Sequence, residues 1–351
     1  MPSYLVTGGC GFIGAHLCLS LLADGHQVRV LDDLSTGRRS NLPDGVELFE
    51  GDISDPYCLD AGLAGIDGCF HLAAIASVER CAADWTGTSR VNLGGALTLF
   101  EAIAKLPGAA RPPVIYASSA AVYGEAAALP VEETAEKRPL SAYGADKYAM
   151  ELHAAVATRV HGIPTVGLRL FNVYGPLQDP ASPYSGVISI FCDRLRAGRP
   201  VVIFGDGAQT RDFVYVADAV AALRAAMQRR PAGAPVFNVC TGTATTVIAL
   251  AQTIGALCDR QPELEFRPAR DGDIRHSLGA PGRARAALGL NAATGISEGL
   301  AAVLAWMQAA DRALAPKAAE PVSAETAPAE TKSRAAGSGK GSAHRHENAG
   351  P

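Results

Sequence analysis

Tyr4-Leu5-Val6-Thr7-Gly8-Gly9-Cys10-Gly11-Phe12-Ile13-Gly14 sets a short apolar run of strand type before a glycine-rich turn and the start of an apolar helix. The spacing Thr7-Gly8-x-x-Gly11-x-x-Gly14 in that context fits a dinucleotide fingerprint. Glycines permit the tight turn and let backbone approach a pyrophosphate, whose charge sits at the helix N-terminus. A plain strand-to-helix turn is the alternative.

Outward from this stretch, strand-like runs alternate with longer helical patterns: Tyr4 to Thr7, Val28 to Leu31, Val46 to Glu50, Cys69 to Leu72, Val114 to Ala117 and Thr165 to Leu170. Apolar runs separated by helices indicate a parallel sheet covered on both faces, a doubly wound α/β fold of Rossmann type. Residues 1–171 are expected to form this nucleotide-binding domain. After Phe171 the pattern loosens into Pro and Gly clusters, so 172–312 are expected to form mainly a smaller substrate-binding lobe, with some segments returning to the first domain. From Ala313 to Pro351 the chain has almost no large apolar residue and reads as a disordered tail.

The 351 residues carry a formal charge of −4, with no basic field for a phosphate polymer, so nucleic acid is excluded as a partner. The eight cysteines form no Cys-x-x-Cys pair and sit mostly in apolar runs, which suits a reduced cytoplasm. The apolar stretch from Phe12 to Leu22 follows no basic segment and is broken by glycine and His16, and no run reaches membrane-spanning length. The expectation is a cytoplasmic protein without membrane contact or metal.

Asp32 and Asp33 end the second strand, where a carboxylate accepts hydrogen bonds from adenosine ribose hydroxyls; this favours NAD over NADP. Arg38 and Arg39 can instead hold a 2′-phosphate or form a solvated loop. Asp52 suits an adenine amino group or a helix cap. The fifth strand ends in Ser118-Ser119, at the edge where ligands of open α/β sheets bind. Tyr143 and Lys147 lie four residues apart, on one face of a helix, so an ammonium can favour the ionised phenol. Taken singly, such a pair is a common surface arrangement and such serines are common turn formers.

Together Thr7-Gly8-x-x-Gly11-x-x-Gly14, Ser119 and Tyr143-x-x-x-Lys147 resemble the extended short-chain dehydrogenase/reductase family over residues 1 to 312. Asp32-Asp33-Leu34-Ser35-Thr36-Gly37, His71-Leu72-Ala73-Ala74, Leu168-Arg169-Leu170-Phe171-Asn172-Val173-Tyr174-Gly175 and Gly272-Asp273-Ile274-Arg275-His276-Ser277 are similar to its nucleotide-sugar 4-epimerases. The resemblance implies that Tyr143 is the base for a C4 hydroxyl, Ser119 its hydroxyl partner, and Lys147 the holder of the nicotinamide ribose, lowering the tyrosine pKa. It also implies an NAD site drawn from Gly8, Gly11, Phe12, Ile13, Gly14, Asp32, Asp33, Ser35, Thr36, Gly37, Asp52, Ile53, Leu72, Ala73, Ala74, Asn92, Phe171 and Val173, together with Tyr143 and Lys147. A UDP-sugar is implied to meet Ser77, Ser119, Tyr143, Asn172, Val187, Phe204, Arg211, Arg270, Asp273 and Ser277. Asn172 and the arginines take the diphosphate, Phe204 the uracil and Asp273 its ribose. Individually the arginines also read as surface residues or as a partner for Asp212.

Related dehydratases carry Asp-Glu after the strand-end hydroxyl, whereas here stand Ala120 and Ala121, which do no acid-base work. The resemblance implies that Ser277 occupies a gate beside the sugar's C2 substituent, where serine leaves room for an N-acetyl group that tyrosine excludes. Ala280 replaces an aspartate often found after the gate. The expected activity is reversible C4 epimerisation of UDP-N-acetylglucosamine and UDP-N-acetylgalactosamine through a 4-keto sugar, with UDP-glucose and UDP-galactose as further candidates. UDP-glucose 4-epimerase, uronate epimerase, decarboxylase and a non-catalytic NAD-binding scaffold remain as other readings. The resemblance further implies a homodimer through helices at Leu93–Lys105 and Tyr143–Thr158.

Overall fold

The computed structural model describes residues 1–178, 186–269, 274–290 and 294–314. Its strands are β1 (Ser3–Thr7), β2 (Gln27–Asp32), β3 (Glu47–Glu50), β4 (Gly68–His71), β5 (Val114–Ser119), β6 (Thr165–Leu170), β7 (Asn172–Tyr174), β8 (Val201–Phe204), β9 (Thr210–Arg211), β10 (Phe213–Tyr215), β11 (Val236–Val239), β12 (Thr245–Thr246) and β13 (Leu264–Arg267). The helices are α1 (Phe12–Ala23), α2 (Tyr57–Leu63), α3 (Val78–Ala83), α4 (Trp85–Ser89), α5 (Gly95–Lys105), α6 (Ala142–His161), α7 (Val187–Arg196), α8 (Val216–Arg229), α9 (Val247–Leu257), α10 (Gly282–Leu288) and α11 (Ile296–Leu314).

Seven strands form one parallel sheet in the order β11-β6-β5-β4-β1-β2-β3, the doubly wound architecture expected from the apolar runs. Alternating strand residues feed two cores, because successive side chains point to opposite faces. On one face Val6, Phe70 and Ile115 pack with Leu17 of α1, Leu223 of α8 and Leu288 of α10. On the other, Leu5, Cys69 and Tyr116 pack with Leu59 of α2, Leu99 of α5 and Met150 of α6. The edge strand β11 comes from the second half of the chain, and so do α8 and α10. No sequence run announced β11, since four residues pairing with β6 carry too short a pattern.

A third core joins α7, α9, α11 and β8 through Phe191, Leu250, Leu300 and Ile203. It builds the lobe beside the sheet's carboxyl edge, with β10 paired to β7 and β13 to β8. Helix α11 runs to Leu314; residues 315–351, most of the segment read as a tail, lie outside the described residues. Among the described residues no helix is long and apolar enough to cross a membrane.

Candidate active site

The carboxyl ends of the sheet strands share one edge, and the reversal of strand order between β1 and β4 opens a crevice there. Thr7, fully buried at the end of β1, ties the two strand ends together. Its Oγ1 accepts from the Leu72 and Ala73 amides, both at 3.2 Å, which directs its own proton to His71 Nδ1 at 2.8 Å. Neutral His71 then carries its proton on Nε2, an atom without a hydrogen-bond partner among the described residues. Burial, and then the charge of Lys147, hold His71 down to about 3, so it stays neutral at working pH.

The glycine turn presses against this junction. Gly8 has φ of 71°, and a Cβ there would lie 2.7 Å from the Ala73 nitrogen; a Cβ on Gly14 would collide with the Gly8 carbonyl. Gly11 enters α1 with no side-chain cap, and the first turn, holding Phe12 and Ile13, has no acidic residue. Uncapped N–H groups and the positive end of the helix dipole suit a pyrophosphate. The chain therefore fits the dinucleotide it was expected to hold.

Asp32 is buried and holds two loops: Oδ2 accepts from the Cys10 amide and Oδ1 from the Leu34 amide, each at 2.9 Å. Burial raises its carboxyl, against the pull of those amides. Asp33 is exposed and accepts from the Ser35 amide and hydroxyl at 2.9 and 2.6 Å, while Gly37 brings the Ser35–Gly37 turn, with Thr36 at its exposed tip, against Cys10. Arg39 is drawn to Glu50 at 3.3 Å. Asp52 closes a turn by accepting from the Ser54 amide and hydroxyl, both at 2.8 Å, and pairs with Arg90 at 2.9 Å. Ile53 buries its side chain against Gly95. Asn92 lies in a π-helical turn, Arg90–Gly94, that carries its side chain inward to brace Ile75 through both amide atoms, at 2.7 and 3.2 Å. That brace steadies the backbone just past Leu72, Ala73 and Ala74.

Ser141 begins α6 by accepting from the Gly144 amide at 3.1 Å. In the first turn, Tyr143 is half-buried and hydrogen-bonded to the Ser119 hydroxyl, with Lys147 Nζ 5.8 Å from the centre of its ring. Burial pushes the phenol up to about 12, and the Ser119 hydrogen bond pulls it back. Lys147 is buried too; burial lowers its ammonium to about 8, against the attraction of Asp146. Asp146 is in turn held by the Ser89 hydroxyl at 2.9 Å. Three groups suited to proton transfer at an alcohol thus meet at the crest of β5 and α6.

Ser119 and Tyr143 open onto a cleft of about 1280 Å³ whose lining also includes Ala120, Ala121, Phe171, Asn172, Phe204, Arg211 and Ser277. Residues 4–240 match the NAD dependent epimerase/dehydratase family, whose model spans most of the crest and half of the lobe. The chain belongs to this family. It is an NAD-dependent nucleotide-sugar 4-epimerase. It is 40% identical to UDP-glucose 4-epimerase of Mycolicibacterium smegmatis, over 85% of this chain and 96% of that protein. The fold matches the Thermus thermophilus UDP-glucose 4-epimerase complex with NAD at TM-score 0.81 and 35% identity, covering 88% of this chain and 99% of that one. It matches UDP-N-acetylglucosamine 4-epimerase from Methanobrevibacter ruminantium, in complex with UDP-N-acetylmuramic acid, at TM-score 0.81 and 32% identity over the same shares.

Not every residue expected at this epimerase's substrate site lines the cleft. Ser77 is buried, and its hydroxyl caps α3 by accepting from the Arg80 amide at 3.0 Å. Val187 opens α7 and packs against the lobe's core; Val173, expected at the cofactor, sits half-buried in β7. Arg270 and Asp273 lie outside the described residues. Asp212 is buried with its carboxylate accepting from the amides of Thr241, Gly242 and Gly279 and from the Thr241 hydroxyl; Arg211 donates to the Thr210 carbonyl at 2.9 Å. Through Gly279, Asp212 anchors the loop bearing Ser277, whose own amide donates to the Thr210 carbonyl at 3.1 Å. The loop's other side is pinned to Val131, which accepts from Ala280 and donates to Leu278, so backbone pairing stabilises it without an acid at 280.

Sequence reading missed Val78, Trp85, Tyr123 and Leu140 as lining residues. Trp85 and Leu140 are 66% and 60% exposed, and only the fold brings α4 and the approach to α6 to the same cleft. Ser141 had a usable signal, a serine three residues before glycine at the start of a helix. Gly14→Ala is expected to leave the purified enzyme without NAD, because the added methyl meets the Gly8 backbone, which cannot move aside. Nucleotide released on denaturing the wild type and the variant measures this, and equal NAD content in both would overturn the cradle assignment.

Proposed function

We propose that this epimerase interconverts UDP-N-acetylglucosamine and UDP-N-acetylgalactosamine, accepting UDP-glucose and UDP-galactose as well. The observation that carries the proposal is Ser277 on the cleft wall, with Ala120 and Ala121 lining the same cleft. A serine leaves space for an N-acetyl group at C2, where a larger side chain would exclude it. The alanines supply no second acid or base, so chemistry stops at inversion of C4. The 40% identity to a UDP-glucose 4-epimerase favours a second reading, in which the plain hexoses are the main substrates.

In this mechanism Tyr143, as phenolate, accepts the C4 hydroxyl proton, and Ser119 shares that hydrogen bond. NAD supplies the acceptor and later the donor of the C4 hydride. Since burial holds the free phenol up to about 12, the site needs added positive charge or polar contact to ionise it near neutral pH. Lys147 provides charge beneath the ring, and keeps more of it as pH falls below about 8. Asn172 and Arg211 hold the diphosphate, and Phe204 lies against the uracil, while the sugar turns over between Tyr143 and the gate.

Incubation of the enzyme with UDP-N-acetylglucosamine, without added NAD, is expected to yield UDP-N-acetylgalactosamine by proton NMR. Ser277→Tyr should lower kcat/KM for the N-acetylated sugars about 100-fold while sparing UDP-glucose, a size of effect that steric exclusion supplies. A wild type that turns over UDP-glucose rapidly and neither N-acetylated sugar would sink the gate assignment. Tyr143→Phe should cost about 10²- to 10⁴-fold in kcat with NAD still bound, the usual contribution of a positioned base; near-normal turnover would remove Tyr143 from that role.

The proposal extends to a cytoplasmic homodimer. All eight cysteines are free thiols, compatible with a reducing compartment. On the outer face of α6, Leu152, Val156 and Val160 recur every fourth residue and stay exposed, a stripe suited to the same stripe on a second copy. Light scattering should report twice the chain mass, and Val156→Asp should shift the enzyme to monomer; a wild-type monomer at micromolar concentration would rule out this interface.

A further inference from the structure

We propose that Arg169 and Glu151 are positioning residues, which hold the catalytic helix in the one register that brings Tyr143 to Ser119. The inference rests on the reading of Tyr143 as base. Glu151 lies on α6 four residues beyond Lys147 and eight beyond Tyr143, so the three share one face. Its carboxylate takes two donations from Arg169, at 2.8 and 2.7 Å, and one from the Ser118 hydroxyl at 2.5 Å. Both charged side chains are 4% exposed. Ser118 immediately precedes Ser119 and pairs with Arg169 across β5 and β6. The strand that supplies the hydroxyl partner and the helix that supplies the phenol are therefore clamped to each other two turns below the reacting groups.

The clamp continues toward the cleft. The third nitrogen of Arg169 donates to the Tyr123 hydroxyl at 2.7 Å and to the Glu133 carbonyl at 3.1 Å. Tyr123 lines the cleft and donates to Asn238 of β11 at 2.6 Å; Asn238 returns to the Val131 carbonyl at 2.9 Å. At the upper end of α6, Gly144 lets the helix lie directly on the Ala121 carbonyl, 2.6 Å from where a Cβ would stand. The Arg169–Glu151 pair thus ties together the helix of Tyr143, the strand of Ser119 through Ser118, and the turn of Ala120–Tyr123. Burial and Ser119, with a smaller push from Cys81, act on the phenol itself, so the pair works through placement. Misplacement of about 1 Å at a reacting group can cost 10²-fold in rate, so the fit of this clamp has kinetic consequences.

Removing Arg169 alone would strand a buried carboxylate and endanger the fold. The neutral pair Glu151→Gln/Arg169→Met removes both charges and leaves Ser118 an acceptor. It is expected to keep the wild-type melting temperature and bound NAD, to hold KM within about 2-fold, and to lose 10-fold or more in kcat. The rise of kcat with pH should also move to higher pH, because a longer Tyr143–Ser119 hydrogen bond lowers the phenol less. A folded, NAD-loaded double variant with wild-type kcat and pH profile would make the pair purely structural and overturn the proposal. If the double variant does not accumulate, Ser118→Ala decides: a loss of about 3-fold in kcat at constant KM, with the same upward pH shift, supports the clamp, and an unchanged profile overturns it. Turnover surviving in Tyr143→Phe would instead strike the base assignment, so the two failures are distinguishable.

Discussion

The crest of this enzyme depends on backbone meeting backbone at Gly8 and Gly14. The turn after β1 lies so close to Ala73 that no side chain fits between them, and α1 begins so close to Gly8 that none fits there either. Thr7 completes the contact from within the sheet, satisfying the first two amides beyond His71 while giving its proton to the imidazole. This close junction leaves the N-terminus of α1 free of protein caps. An uncapped helix start beside a turn that carries no side chain suits a pyrophosphate.

Two buried carboxylates carry this order outward. Asp32 accepts from amides in the glycine turn and in the loop after β2; Asp212 accepts from amides on two segments, Thr241-Gly242 and Gly279. Burying an acid costs solvation, and multiple amide donors offset it. Burial nevertheless wins at both sites, where the carboxyls are raised above their ordinary range. Both join loops that share no secondary structure, one beside the glycine turn and one beside Ser277.

Much of the fold was legible in the chain. Six apolar runs became sheet strands because a parallel sheet covered on both faces demands continuous apolar character, which a sequence displays directly. Tyr143 and Lys147 were legible for a similar reason, since a helix fixes what lies four residues away. The seventh strand, the π turn around Asn92 and the role of Ser77 were not. Short strands and caps depend on partners from elsewhere, and a four-residue run carries no periodicity to read. The pairing of Glu151 with Arg169 spans 18 residues of chain and two elements, and neither residue stands out from its charged neighbours until the sheet forms.

By itself the sequence determined the doubly wound class, the glycine turn and the spacing of Tyr143 and Lys147 along α6, all of which are properties of local geometry and steric size. Only the tertiary structure decided which polar groups remain available. Thr7, Asp32, Asn92 and Asp212 are largely committed to backbone amides, whereas Ser119, Tyr143 and Ser277 face a common cleft. The physical reason is that hydrogen-bonding capacity is consumed by whatever lies close in space, and for Thr7, Asn92 and Asp212 the amides that consume it lie 17 or more residues away in the chain.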